Sequence, residues 1–274
     1  MRTRTLGEGG PDVSVVGLGT NNFGARCDLE QSRAVLEAAL EEGVTLVDTA
    51  DIYSQGTSEE YIGAALEGRL DRIVIATKFG KQMDDGPDLP RGSRDYIRWA
   101  VEGSLRRLRA DTIDVYQMHE PDPRTPIEEA DRVARERGLT RFVSAQNHYS
   151  LVEREVEDEI LPACERLGIG MLPYFPLASG LLTGKYTRGE AASEGRLAGR
   201  EIPEERWDRL ERLQPFADER GLTLLQVAIG GLAAMPAVTS VIGGATKPEQ
   251  VRANVEAGEW EPTPKDLAAL ESLR

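Results

Sequence analysis

The chain has 274 residues, 40% of them apolar, a formal net charge of -14 and a sequence pI near 4.8, a size that allows a substantial core and reads as one domain over residues 1–274. Because no run of basic residues offsets it, this acidic balance argues against a nucleic-acid partner or an anionic membrane surface. No stretch approaches the roughly 18 consecutive apolar residues of a membrane span, Cys27 and Cys164 show no metal-ligand spacing, and His119 and His148 are the only imidazoles, so a cytoplasmic protein without disulfides or a metal centre is expected.

Val13 to Thr20 reads as a short strand ending in glycines, and Leu29 to Glu42 as a helix with Val35, Leu36, Ala39 and Leu40 at helical spacing and Gly43 as its stop. Thr45-Leu46-Val47 is the next strand. It ends abruptly in Asp48, Asp51 and Tyr53, which reach a cleft only if the strand's C-terminal end opens into one. After a helix from Glu59 to Leu66, Arg72 to Phe79 is a nearly continuous apolar strand with one lysine, Lys78, at its end. Asp84 to Gly92 is a polar Gly/Pro loop, and Ser93 caps a helix from Arg94 to Arg109. The strand Ile113 to His119 then delivers an imidazole at its own end.

Pro126 opens a helix to Arg137, Gly138 ends it, and Arg141 to Asn147 makes a further strand. A helix from Val152 to Leu167 precedes the strand Gly170 to Leu177, which runs into Ala178 to Lys185 and a charged Gly/Ala-rich loop, Arg188 to Ile202. Helices at Pro203 to Arg220 and Thr223 to Ala234 lead to the last strand, Ser240 to Gly244, and helices at Pro248 to Ala257 and Lys265 to Leu273 close the chain.

Short apolar strands alternating with helices call for parallel strands joined by right-handed crossovers. In an α/β barrel of the TIM type the C-terminal strand ends share one face, so Asp48, Lys78 and His119 would converge there with Tyr53 just beyond. A doubly wound open sheet would call for a G-x-G-x-x-G turn after its first strand, and Gly17-Leu18-Gly19-Thr20-Asn21-Asn22 lacks the third glycine.

Each of these four residues alone has an ordinary structural use, as a cap, a packing ring, a solvated cation or a satisfied polar group. Together at successive strand ends they suit carbonyl chemistry. A phenol has an unperturbed pKa of about 10, and a neighbouring ammonium is expected to bring Tyr53 toward working pH as a general acid. Asp48 would position Lys78, and His119 would hydrogen-bond the substrate oxygen on which charge develops.

The stretches Val47 to Tyr53, Ile75 to Gly80, Asp114 to Asp122, Pro173 to Tyr186 and Val241 to Asn254 resemble the aldo-keto reductases, in particular bacterial members related to potassium-channel β-subunits. The resemblance implies a (β/α) barrel, a small carbonyl substrate and hydride from NADPH, with NAD as the alternative. It places Asp48, Tyr53, Lys78 and His119 on the catalytic tetrad, with Tyr53 as proton donor. By the same resemblance Tyr174 is the nicotinamide-stacking aromatic and Gln146 the amide-binding glutamine, while Leu177, Ser179, Gly180 and Leu182 lie in the loop over the diphosphate. The adenine-end ligands fall on Gly244, Lys247, Gln250 and Asn254. Many relatives carry lysine where Gly244 stands and arginine where Gln250 stands, which leaves Lys247 for the 2′-phosphate.

One departure is larger. Between His119 and Gln146 the family has two strands, with a helix, a Gly-x-Ser-Asn strand end and another helix between them. Here Thr125 to Glu129 resembles the start of the first helix and Asp131 to Gly138 the end of the second, with a join near Ala130. Seven strand candidates result instead of eight, ending near Thr20, Asp48, Lys78, His119, Asn147, Leu177 and Gly244. That leaves a strained closure or a gap that a second copy of the chain is able to cover, so a homo-oligomer stays open. Two functions follow: an NADPH-dependent reductase of aldehydes or ketones, or a cofactor-binding or regulatory barrel with impaired catalysis.

Overall fold

A computed structural model describes residues 1–120, 134, 136–138, 141–190 and 195–274. Most of the helix expected over Pro126 to Arg137, the join near Ala130 and part of the loop Arg188 to Ile202 therefore lie outside the described residues. The described chain divides into two compact units, one built from Met1–Val16, Ala145–Gly243 and Arg252–Arg274, the other from Gly17–Ser144 and Gly244–Val251.

In the second unit the apolar runs form parallel strands: β3 (Val16–Gly19), β4 (Leu46–Asp48), β5 (Val74–Phe79) and β6 (Val115–Met118), in the order β6-β5-β4-β3. The register pairs Gly19 with Asp48, Asp48 with Ala76, and Lys78 with Gln117, so the polar ends are brought side by side. Between them run α1 (Leu29–Glu41), α2 (Thr57–Ala65) and α3 (Arg94–Leu108). Asp28 starts α1 with a capping box. Its Oδ1 accepts from the Gln31 N–H at 2.9 Å, while Gln31 Oε1 accepts from the Asp28 N–H at 3.0 Å. The expected Ser93 cap on α3 is present, accepting from the Tyr96 N–H at 3.3 Å.

In the first unit, β1 (Thr3–Thr5) and β2 (Asp12–Ser14) pair as an antiparallel hairpin, and β7 (Ser144–His148) pairs with β8 (Gly170–Tyr174). The core of this unit joins Leu181, Leu182, Trp207, Leu210, Phe216, Val227 and Ile229, contributed largely by the helices Glu204–Glu219 and Leu224–Ala233.

The expected helix from Val152 to Leu167 is replaced by a 3-10 turn at Glu155–Glu157 and a helix confined to Ile160–Leu167. The cause is a buried polar cluster. Arg154, 6% exposed, donates through Nε to Glu157 Oε1 at 2.7 Å and through Nη1 to the Leu270 carbonyl at 2.8 Å, and the Tyr149 hydroxyl meets the same Glu157 oxygen at 2.6 Å. Satisfying a buried guanidinium outweighs local helical periodicity.

Candidate active site

The polar end of β4 and the lysine of β5 form a buried ion pair. Lys78 Nζ lies 2.7 Å from Asp48 Oδ2 and donates to the Thr49 carbonyl at 2.8 Å, with both side chains 4% exposed. The other carboxylate oxygen, Asp48 Oδ1, accepts from Gln117 Nε2 at 3.4 Å. Gln117 carries no signal of its own in the sequence, although strand alternation places it on the same face as His119, two residues on.

Tyr53 is set by the turn that follows β4. Its N–H donates to the Ala50 carbonyl, and the Asp51 N–H donates to the Lys78 carbonyl, each at 3.1 Å. Directly after it Ser54, Gln55 and Gly56 adopt positive φ values of 50, 54 and 93°. This succession is disfavoured for the two non-glycine residues and is held by side chains: Ser54 Oγ donates to the Phe23 carbonyl at 3.1 Å, and Gln55 Oε1 accepts from the Asp84 N–H at 3.1 Å. At Gly56 a Cβ would meet Arg107 Cδ at 2.6 Å, so glycine is required there for space as well as conformation.

The turn carries the Tyr53 ring to 5.9 Å from the His119 ring, edge to face, and to 5.2 Å between its centroid and Lys78 Nζ. The four expected catalytic residues are thus gathered in one unit. Their electrostatics differ from the expectation in one respect. Burial raises the Tyr53 pKa above that of an ordinary phenol, and the lowering by Lys78 does not overcome it. Burial, reinforced by Lys78 and Lys81, lowers the His119 pKa to about 4, so its imidazole is neutral at pH 7. His119 Nδ1 is buried without a hydrogen-bond partner among the described residues. Lys81, a second cation near Tyr53 and His119, pairs with Glu120 at 2.8 Å.

In the other unit Tyr174, at the end of β8, keeps 39% of its surface exposed, and His148 stacks on it with centroids 5.5 Å apart and planes 14° from parallel. Gln146 lies half-buried on β7. The turn after Phe175 is left-handed at Ala178, Ser179 and Gly180. The Gly180 and Leu182 N–H groups both donate to the Leu177 carbonyl, at 2.8 and 3.2 Å, and the Leu182 side chain is in the core. A Cβ at Gly180 would sit 3.6 Å from Lys185 Nζ, which brings a cation to this turn. Asn254, 6% exposed, packs its amide against Gly243.

Gly244, Lys247 and Gln250 belong to the same unit as the tetrad. Gly244, Lys247 and Gln250 are all exposed, and Gln250 Oε1 accepts from the Thr246 N–H at 2.7 Å. No group of three or more His, Cys, Asp or Glu among the described residues is arranged to hold a metal ion, and no helix among them is long and apolar enough to cross a membrane.

A family model described as the aldo/keto reductase family matches residues 15–133 and 127–274. Among curated relatives, a probable voltage-gated potassium channel subunit beta of Oryza sativa subsp. japonica is 33% identical, the match covering 100% of this chain and 96% of that protein. An uncharacterized oxidoreductase of Bacillus subtilis (strain 168), YrpG, is 35% identical over 94% of this chain and 91% of its own length. Among solved structures, the holo form of aldo-keto reductase AKR11C1 from Bacillus halodurans superposes with a TM-score of 0.82 at 30% identity, covering 100% of this chain and 96% of that one.

Proposed function

The chain belongs to the aldo/keto reductase family, and we propose that it is an NADPH-dependent reductase of an aldehyde or ketone in which Tyr53 is the proton donor. Its fold class is the parallel α/β barrel type of that family. The observation that carries the proposal is the Asp48–Lys78 pair, 2.7 Å long and buried, beside a Tyr53 that faces a neutral His119.

The residues present suit a nicotinamide dinucleotide. Tyr174 offers an exposed ring, and the left-handed turn at Ser179 and Gly180 has the Lys185 ammonium beside it, a cation suited to a diphosphate. Exposed Lys247 is the residue proposed for a 2′-phosphate, with NAD as the alternative cofactor. When bound, the nicotinamide supplies hydride to the carbonyl carbon.

The chain's own groups act on the oxygen. Neutral His119 donates one hydrogen bond to it, and Tyr53 donates another and then its proton. The raised pKa of Tyr53 keeps that proton in place until charge develops, and an alkoxide is a far stronger base than a phenolate, so the transfer still runs downhill. Lys78 stabilises the phenolate left behind, and Asp48 compensates and positions Lys78 in its buried site.

A second reading, a cofactor-binding or regulatory barrel with impaired catalysis, is favoured by the two matched stretches overlapping at 127–133, where the sequence places an internal join. The test is NADPH oxidation with 4-nitrobenzaldehyde by wild type and Tyr53→Phe, together with NADPH binding to both. Turnover that depends on Tyr53 supports the reductase. Equal background rates with intact NADPH binding support the second reading instead.

A further inference from the structure

Behind the tetrad, its unit buries a carboxyl that this chemistry leaves unused. Asp51 is 1% exposed, and neither of its carboxyl oxygens has a hydrogen-bond partner among the described residues. The adjacent Ile52 N–H favours the anion, but it does not reach hydrogen-bond geometry and burial outweighs it, so the carboxylate is disfavoured and the neutral acid is tolerated.

The titratable groups that interact with Asp51 are Glu59 of α2, Arg107 and Tyr96 of α3, Lys78 of β5 and Tyr116 of β6. Glu59 captures the available donors. It is 0% exposed, with Arg107 Nε 2.7 Å from Oε2 and Thr77 Oγ1 2.6 Å from Oε1. The Tyr116 hydroxyl is buried and likewise has no partner among the described residues. With the donors taken by Glu59, the Asp51 carboxyl beside it is the one for which ionisation is disfavoured.

Asp51 is joined to the tetrad through the backbone. It sits in the turn between Asp48 and Tyr53, and its own N–H donates to the Lys78 carbonyl at 3.1 Å. We propose that Asp51 is a second titrating group of the site, a positioning residue whose neutral form maintains the working arrangement of Asp48, Lys78 and Tyr53 and whose ionisation weakens it. The effect on turnover rests on the reductase reading, but the titration does not. Burial and the Glu59 carboxylate push the Asp51 carboxyl up to about 7. Ionised, it places a second anion beside Glu59, attracts Lys78 and makes Tyr53 a weaker acid.

Because the chain has two histidines, isotope-labelled histidine yields two imidazole signals, and His119 reports on the tetrad well above its own protonation. The expected result is a step in the wild-type His119 signal near pH 7 that is absent in Asp51→Asn and moves to lower pH in Glu59→Gln. In parallel, kcat for 4-nitrobenzaldehyde falls by about threefold or more between pH 6 and pH 8 in wild type and stays level in Asp51→Asn. A wild-type His119 signal with no step between pH 6 and pH 8 overturns the proposal even if Asp51→Asn fails to fold. So does a step that persists in Asp51→Asn, or a kcat fall that persists there. A step near pH 7 that vanishes in Asp51→Asn, found without turnover at any pH, supports Asp51 as the titrating group and contradicts the reductase reading.

Discussion

Lys78 Nζ and Asp48 Oδ2 stand 2.7 Å apart with almost no access to water, so each is the other's main compensation for burial. Removing one partner leaves an uncompensated buried charge, an effect of about 3–5 kcal/mol. Lys78→Met is expected to lower stability by about that amount in urea denaturation, and Lys78→Met/Asp48→Leu to recover part of it. The double variant stays catalytically impaired, because a hydrophobic pair supports packing but not the Tyr53 phenolate. Additive losses in the double variant would show that the two side chains do not compensate each other.

His119 is expected to stay neutral across the working range, since burial and the two lysines lower its pKa to about 4. The unfolded chain protonates its histidine near 6.5, so this group contributes stability that is fully present above that value and is lost as pH falls toward about 4. Nitrogen chemical shifts of labelled histidine check it. An imidazolium signature for His119 at pH 6 would contradict the neutral hydrogen-bond donor.

Asp51 has the opposite sign. Its folded pKa of about 7 lies above the model-compound value of 3.8, so the folded state binds the extra proton between those values and stability falls as pH rises through that window. The full difference corresponds to about 4 kcal/mol, an upper figure for a site that relaxes on ionisation. Urea denaturation of wild type and Asp51→Asn at pH 5 and pH 8 is expected to show wild type losing more stability than the variant between the two. Parallel losses would place the titration elsewhere.

Two substitutions separate the proposed cofactor contacts. Tyr174→Ala is expected to weaken NADPH and NADH alike, by about tenfold, through loss of a stacking surface. Lys247→Ala is expected to weaken NADPH more than NADH, because only NADPH carries the 2′-phosphate. Fluorescence titration with both cofactors measures this, and equal losses for Lys247→Ala would remove it from the phosphate.

That Asp48, Lys78 and His119 come together was legible because each ends an apolar run at or just after a strand end, where a polar residue is conspicuous, and Tyr53 follows in the turn after β4. The parallel strands β4 and β5 were legible for the same reason, as short runs dense in Val, Ile and Leu. The hairpin Thr3–Thr5 with Asp12–Ser14 was not, since three-residue strands of mixed polarity carry no periodic signal. Nor was the shortened helix at Ile160, which depends on Arg154 reaching the carbonyl of Leu270 across 116 residues of sequence. Asp51 read as a cleft residue like Asp48, but the turn sends its side chain into the interior beside Glu59 and Tyr116, an outcome that only tertiary packing decides. The depressed acidity of Tyr53 was missed because burial opposes Lys78, and sequence does not show burial of a loop residue.

In the proposed reaction hydride reaches a carbonyl carbon while Tyr53 protonates the oxygen. A single turnover with NADPH deuterated at the transferring position and 4-nitrobenzaldehyde, run with wild type and Tyr53→Phe, separates the two events. One deuterium is expected on the carbinol carbon of the product, formed about 10²–10⁴ times more slowly by Tyr53→Phe. Unlabelled alcohol, or equal rates from the two proteins, would contradict it.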